Sequence, residues 1–405
     1  MTGKEPSPPR IIESIQDLES LAADLKGEPR VAIDMESDSF YVYHEKVCLL
    51  QLSTGEEDFV IDPLAVKDIS PLGPLFRDPA IEKVFHAGEY DIVCLKRDYG
   101  FVIKHIFDTM VAARTLGMRR LGLAPLIDQH FGVKLSKKLQ RANWGKRPLT
   151  PEHIEYARND THYLLALRDA LAGELERKAL RRDATDEFRR LEKLQPVARE
   201  FDADAFWYLH GARDLPAQGK AVLRRLYVFR EKTAAELDRA PFRVLPEELL
   251  VRLAERCPKS IEAMRGMKGM SPYLFRRFGR ELIREIDKGR AAPPIEAPAQ
   301  RPKRDQWDAD TMRRCEALRQ WRKKTAVERG VDPVVILPTE EVRQLALAPR
   351  QNPDTDHWIN CISEYKRELY GKDILAILKQ PQPARKKKRR SRRARSGAQR
   401  TEQKL

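Results

Sequence analysis

The chain has 405 residues and a formal net charge of +15, with 41% hydrophobic and 34% charged residues. That length exceeds one ordinary core and predicts two to four domains. The basic excess points to a polyanionic partner, nucleic acid before an anionic membrane, although basicity kept only for solubility would look the same. No apolar run approaches the length of a membrane span, and Met1–Arg10 lacks the apolar stretch of a signal peptide. Five scattered cysteines, Cys48, Cys94, Cys257, Cys315 and Cys361, form no CxxC pair. They argue against a cysteine zinc site and for a reducing compartment, best matched by the cytoplasm.

Residues 1–10 hold several prolines and read as a disordered N-terminus. From 11 to 182, strand and helix patterns are mixed. Short β-rich runs, RVAIDME (30–36), CLLQLST (48–54), DFVID (58–62) and KVFH (83–86), are separated by turn residues. Helical patterns follow at Asp91–Tyr99, Met110–Leu116, Leu121–Phe131 and Pro151–Lys178, the last with Thr150 as N-cap and proline at its first position. The order predicts an α/β domain with helices around a mixed sheet.

Beyond a connector at 183–215, strand signals fade and the chain repeats itself. Arg230-Glu-Lys-Thr-Ala-Ala-Glu236 matches Arg322-Lys-Lys-Thr-Ala-Val-Glu328, and the same offset carries Leu245-Pro246 onto Leu337-Pro338. A constant offset across separate blocks signals two copies of one helical module, at 216–290 and 305–380. A proline- and alanine-rich linker at 291–304 separates them. The tail, 381–405, carries ten lysines and arginines between Arg385 and Arg400. It reads as disordered alone and attracted to phosphates, or as a solubilising end.

Three acidic pieces stand out in the α/β region. Asp34 and Glu36 are two apart in a strand pattern and so share a face, although acids at strand ends often serve only solubility. Asp91 follows the strand KVFH and the small residues of HAGEY, where it could simply complement a helix dipole. Tyr156 and Asp160 are four apart on a helix and stack on one face, where a surface salt bridge is the ordinary role. Each piece alone is weak, but the ordered set fits one chemistry. Hydrolysing a phosphodiester needs an activated water and charge stabilisation on the attacking and leaving oxygens, which two divalent ions about 3.5–4 Å apart supply. Hard cations such as Mg²⁺ or Mn²⁺ take carboxylate oxygens, and Tyr156 could orient the water.

These residues resemble the DEDD superfamily of 3′–5′ exonucleases in its tyrosine-bearing branch, and within it ribonuclease D. VAIDMES (31–37), HAGEYD (86–91) and YARND (156–160) are similar to its three motifs. FDTMVAARTLG (107–117) and WGKRPLTPEHIEYARNDTHYLL (144–165) extend the likeness. The resemblance implies a ribonuclease H-like domain at 11–182 that removes nucleotides from RNA 3′ ends and releases 5′-monophosphates. It further implies that Asp34 bridges both metals, that Glu36 and Asp160 hold the water-side ion, and that Asp91 acts near the second ion, directly or through water. Tyr156 would position the nucleophile, and Asp108 would cap the following helix. His86 is left open between a phosphate contact and packing beneath its turn.

The repeated module resembles the helicase-and-RNase-D C-terminal (HRDC) domain, a small helical nucleic-acid-binding unit, of which ribonuclease D carries two. RNA with a free 3′ end is then the expected partner, with tRNA precursors on family analogy, DNA binding open, no membrane, and protein partners undefined. Met35, Ser37, Ser136 and Asn143 depart from the family's habits, which puts contacts to the terminal nucleotide in doubt. The competing readings are a DNA exonuclease of the same superfamily and a non-catalytic RNA-binding protein on a nuclease scaffold. A helicase lacks its GxxxxGK[ST] loop here, and a metalloprotease its HExxH pair.

Overall fold

The computed structural model describes residues 7–197, 200–296, 307–351 and 358–379. Six strands, β1 (Arg10–Ile12), β2 (Arg30–Ser37), β3 (Val47–Ser53), β4 (Asp58–Ile61), β5 (Glu82–Phe85) and β6 (Ile106–Asp108), form one sheet in the order β1-β4-β3-β2-β5-β6. The β4–β3–β2 centre is antiparallel, whereas β1, β5 and β6 join it in parallel. This is the mixed sheet expected.

Both faces are covered by helices: α1 (Ile15–Asp24), α2 (Pro63–Val66), α3 (Gly73–Arg77), α4 (Glu89–Tyr99), α5 (Thr109–Thr115), α6 (Leu123–Phe131), α7 (Pro151–His162), α8 (Leu164–Arg177) and α9 (Arg181–Glu192). Burial on both faces explains why β3 reads as a continuous apolar run rather than an alternation.

Several sequence expectations need correction. Arg10, assigned to the N-terminal tail, opens β1, because Ile11 and Ile12 pair with Val60 and Ile61 at the sheet edge; residues 1–6 lie outside the described residues. The helix expected at Pro151–Lys178 is two helices broken at Tyr163. The last turn of α7 is tied down to the sheet, Thr161 Oγ1 lying 2.7 Å from Ser53 Oγ and His162 Nδ1 2.7 Å from Asp58 Oδ2. The chain then turns to pack α8 along α5. Residues 183–192, read as the start of a connector, lie in α9. There Phe188 packs on Phe107 of β6 at 4.8 Å between ring centroids, and Glu192 accepts the backbone N–H of His105.

The rest is helical: α10 (Ala217–Glu236), α11 (Pro241–Val244), α12 (Glu247–Arg256), α13 (Pro272–Ala291), α14 (Ala309–Arg329), α15 (Pro333–Ile336), α16 (Thr339–Gln351) and α17 (Glu364–Leu378). Each of the last four starts 92 residues after its counterpart among the first four, so the repeat in sequence is a repeat in structure. In the first copy Leu223, Leu226, Leu253, Phe278 and Leu282 form a core. Gly289 lets α13 cross α10 closely, since a Cβ there would come within 2.6 Å of the Val222 backbone.

The chain divides into two compact units, Met1–Gln306 with Thr325–Ile336, and Trp307–Lys324 with Leu337–Leu405. The α/β domain and the first helical copy therefore belong to one unit. Within the second unit, Trp321 meets Tyr370 edge-on and Lys366 pairs with Glu341 at 3.3 Å. Most of the linker and the whole basic tail lie outside the described residues. No helix among the described residues is long and apolar enough to cross a membrane.

Candidate active site

The site is built on β2. Val31, Ile33 and Met35 are buried in the core on one face, which turns Asp34 and Glu36 together to the other. The β2–β3 register shifts between Glu36 and Ser37, and such breaks in a ladder re-aim side chains next to active sites.

Asp91 arrives from the next strand. After β5, Ala87 takes a left-handed backbone conformation (φ 58) and Gly88 opens α4. Gly88 is required, since a Cβ there would come within 2.6 Å of Phe85. Asp108 fixes this turn: one carboxylate oxygen caps α5 through Val111 N–H, and the other accepts Gly88 N–H at 2.8 Å. The expected cap is present, with a second duty that sequence reasoning missed. His86 Nδ1 lies 2.9 Å from Thr109 Oγ1, which donates to the Phe85 carbonyl. This arrangement anchors His86 beneath the turn, and burial lowers its pKa, keeping the ring neutral.

The third side is α7, whose N-cap is Thr150 and whose first residue is Pro151, as expected. It crosses β2, β3 and β4. Tyr156 leans on Trp144, with ring centroids 5.8 Å apart. Trp144 is itself fully buried in a small cluster with Leu49, Val60 and Ala157. The loop carrying Trp144 is held by Arg147, which binds Asp62 and donates to the Trp144 and Cys48 carbonyls. Trp144 opens the stretch 144–165 that carries part of the resemblance, but its support of Tyr156 was not read from the sequence.

Asp34, Glu36 and Asp160 thus meet, one carboxylate oxygen from each lying within 4.8 Å of the others. Asp91 stands outside that set but within electrostatic range of all three. The charges acting on these groups are largely one another's. Burial followed by Asp34, Asp160 and Asp91 pushes Glu36 up to about 10. Burial takes Asp34 to about 7, and burial with Asp34 takes Asp160 to about 8. Asp91 is raised well above the carboxylate range, first by burial and then by Asp34. Like charges gathered without a cation hold their protons; one or two divalent cations offering positive charge to oxygen ligands would reverse this. The donor set is all oxygen and suits a hard cation. Burial and the same three carboxylates also push the Tyr156 phenol far up, so it remains a proton donor.

An open groove of about 650 Å³ runs from Ser39, three positions after Glu36 in the chain, past Tyr43, Glu45 and Arg97 to Tyr208 and Phe242 of the helical half. Its wall is the 40–45 loop, held by the first helical copy. Asp238 accepts the backbone N–H groups of Tyr43 and His44, each at 3.1 Å. Arg243 stacks on Tyr41 at 3.9 Å and donates to the Phe40 carbonyl. Nothing in the sequence links positions so far apart.

Comparison with known proteins agrees with this geometry. A family model described as 3′–5′ exonuclease matches residues 9–176, and the HRDC domain model matches 219–286 and 312–378. The exosome complex exonuclease RRP6 of Saccharomyces cerevisiae is 33% identical over 270 residues, covering 63% of this chain and 37% of that one. The chain spans about a third to a half of the length of the curated relatives it matches, 52%, 37% and 33% for three of them. The catalytic core of RRP6 from Trypanosoma brucei superposes with a TM-score of 0.65 at 32% identity, covering 70% of this chain and 79% of that structure. RNase D of Escherichia coli, described as an exoribonuclease involved in structured RNA processing, gives a TM-score of 0.65 at 26% identity, covering 92% and 99%. With the carboxylate site, the mixed sheet and the doubled helical module in place, this chain belongs to the ribonuclease D-like DEDD 3′–5′ exonucleases that carry HRDC domains.

Proposed function

We propose that the protein is a 3′–5′ exoribonuclease that removes nucleotides one at a time from RNA 3′ ends, releasing nucleoside 5′-monophosphates. The observation that carries the reading is the convergence of Asp34, Glu36 and Asp160 within 4.8 Å, with Asp91 facing them. Asp34 would be shared between two ions, Mg²⁺ or Mn²⁺, with Glu36 and Asp160 on one and Asp91 near the other. The ions would supply an activated water and neutralise charge on the attacking and leaving oxygens. Tyr156, protonated and braced by Trp144, would hold the water in line by donating a hydrogen bond. His86, anchored through Nδ1, would have its other ring nitrogen for a phosphate of the terminal nucleotide.

The groove that begins at Ser39 favours an unpaired strand. Tyr208 and Phe242 present exposed rings there, and aromatic faces stack on bases of single-stranded nucleic acid whatever their sequence. The modules at 216–290 and 305–380, with the basic tail at 381–405, would hold the remainder of the RNA by phosphate contacts, so binding weakens with salt. Structured precursors such as tRNA are the substrate class this suggests, in line with the description given for the E. coli enzyme.

RNA rather than DNA rests on the relatives, since the carboxylate chemistry treats both sugars alike. Timed digestion of matched RNA and DNA oligonucleotides with free 3′ ends separates the two. Faster RNA trimming, with 5′-monophosphate products, is expected; equal or faster DNA digestion would overturn the RNA assignment.

A further inference from the structure

We infer that Gln51 is a positioning residue for the metal-binding carboxylates, its buried amide hydrogen-bonding Asp34 when the ions are bound. The inference rests on the proposed metal site and assigns a residue beneath it.

Gln51 sits in the middle of β3 and is completely buried, yet neither its Oε1 nor its Nε2 has a hydrogen-bond partner. Two independent observations place that amide under the site. Gln51 is the direct cross-strand partner of Asp34 in the β2–β3 ladder, and residues directly opposite each other in such a ladder project to the same face. Two residues further along β3, Ser53 bonds Thr161 of α7 at 2.7 Å, so by the period of a strand Gln51 also faces α7. It is therefore enclosed between Asp34 on β2 and the turn of α7 that carries Asp160.

A buried amide left without partners costs about 1–3 kcal/mol, and native interiors seldom leave one unpaired. A leucine or methionine of similar volume would fill the space without that cost. A carboxylate that ligates a cation through one oxygen keeps its other oxygen as a strong hydrogen-bond acceptor. The amide of Gln51 is then the nearby donor able to hold a carboxylate rotamer while its other oxygen faces the ions. Such outer partners of metal ligands are worth about 10–100-fold in metal affinity.

The test is calorimetric titration of Mn²⁺ into the metal-free full chain, comparing wild type, Gln51→Leu, Gln51→Met and Asp34→Asn, with metal-free melting temperatures alongside. Gln51→Leu should melt at or above the wild-type temperature and bind Mn²⁺ about 10–100-fold more weakly. Its kcat should recover as Mn²⁺ is raised, with KM for RNA unchanged. Gln51→Met should behave alike, and it is the variant to read if Gln51→Leu does not fold. An unchanged Mn²⁺ isotherm, or a large loss of metal-free stability in both variants, would make Gln51 a structural residue and overturn the inference. If wild type binds no Mn²⁺, or Asp34→Asn binds it as wild type does, the metal site itself fails and the inference with it.

Discussion

The carboxylate site and the junction between the 40–45 loop and the first helical module treat polar groups in opposite ways. At the junction, acceptors meet donors: Asp238 takes two backbone N–H groups, and Arg243 has both an aromatic face and a carbonyl. At the site, acids meet acids and an amide is buried without a partner. A chain selected only for stability would resolve the second arrangement as it resolves the first. The contrast marks the site as built for something the protein alone does not supply, and functional sites are where such local inconsistency is expected.

The contrast breaks first under substitution of the acids. Glu36→Gln and Asp160→Asn should each lower kcat by about 10³-fold or more, since each removes a ligand worth several kcal/mol to the charged transition state. The same changes should raise the metal-free melting temperature, because they remove acids that the folded site must keep protonated. Lowered stability in both would mean the cluster is a structural network. Next, Tyr156→Phe should lower kcat by about 10²-fold, the lower range for a positioned proton donor, with RNA affinity unchanged in a filter-binding assay. A KM effect alone would move Tyr156 from the water to the nucleotide.

The pH response follows from the raised carboxyl groups. Asp34 (about 7), Asp160 (about 8) and Glu36 (about 10) bind protons in the folded state that the unfolded chain releases near its ordinary carboxylate values. Below those ordinary values their stabilising contribution is complete; as pH rises through the folded values it is lost. The metal-free melting temperature should therefore fall between about pH 5 and pH 8, and Mg²⁺ or Mn²⁺ should reverse the fall. A rising temperature over that window would contradict the clustering. The smallest effect belongs to the junction. Asp238→Ala should cost about 1–3 kcal/mol, as for backbone donors left without a charged acceptor. It should raise KM for RNA several-fold through a looser 40–45 loop, with kcat nearly unchanged.

How much of this was legible in the sequence follows the range of each interaction. Asp34 and Glu36 on a strand, Tyr156 and Asp160 one helical turn apart, and the doubled module are local or periodic patterns, and they could be read directly. The edge strands β1 and β6 have three residues each, too few for a pattern, and exist because a neighbouring strand offers its edge. The break at Tyr163 is imposed by Ser53 and Asp58, more than a hundred positions upstream. Asp238 reaches back nearly two hundred positions to the 40–45 loop. Gln51 looks like any polar residue in an apolar run until the register sets it opposite Asp34.

The carboxylate site is tested most directly by trimming of a 5′-labelled RNA with a free 3′ end by wild type and Asp34→Asn, with Mg²⁺ or Mn²⁺ and with a chelator. Wild type should produce a ladder shortening from the 3′ end only when the metal is present, and Asp34→Asn should bind the RNA yet leave it intact. Trimming that persists in Asp34→Asn, or in the chelator, would contradict the carboxylate site as the seat of the reaction.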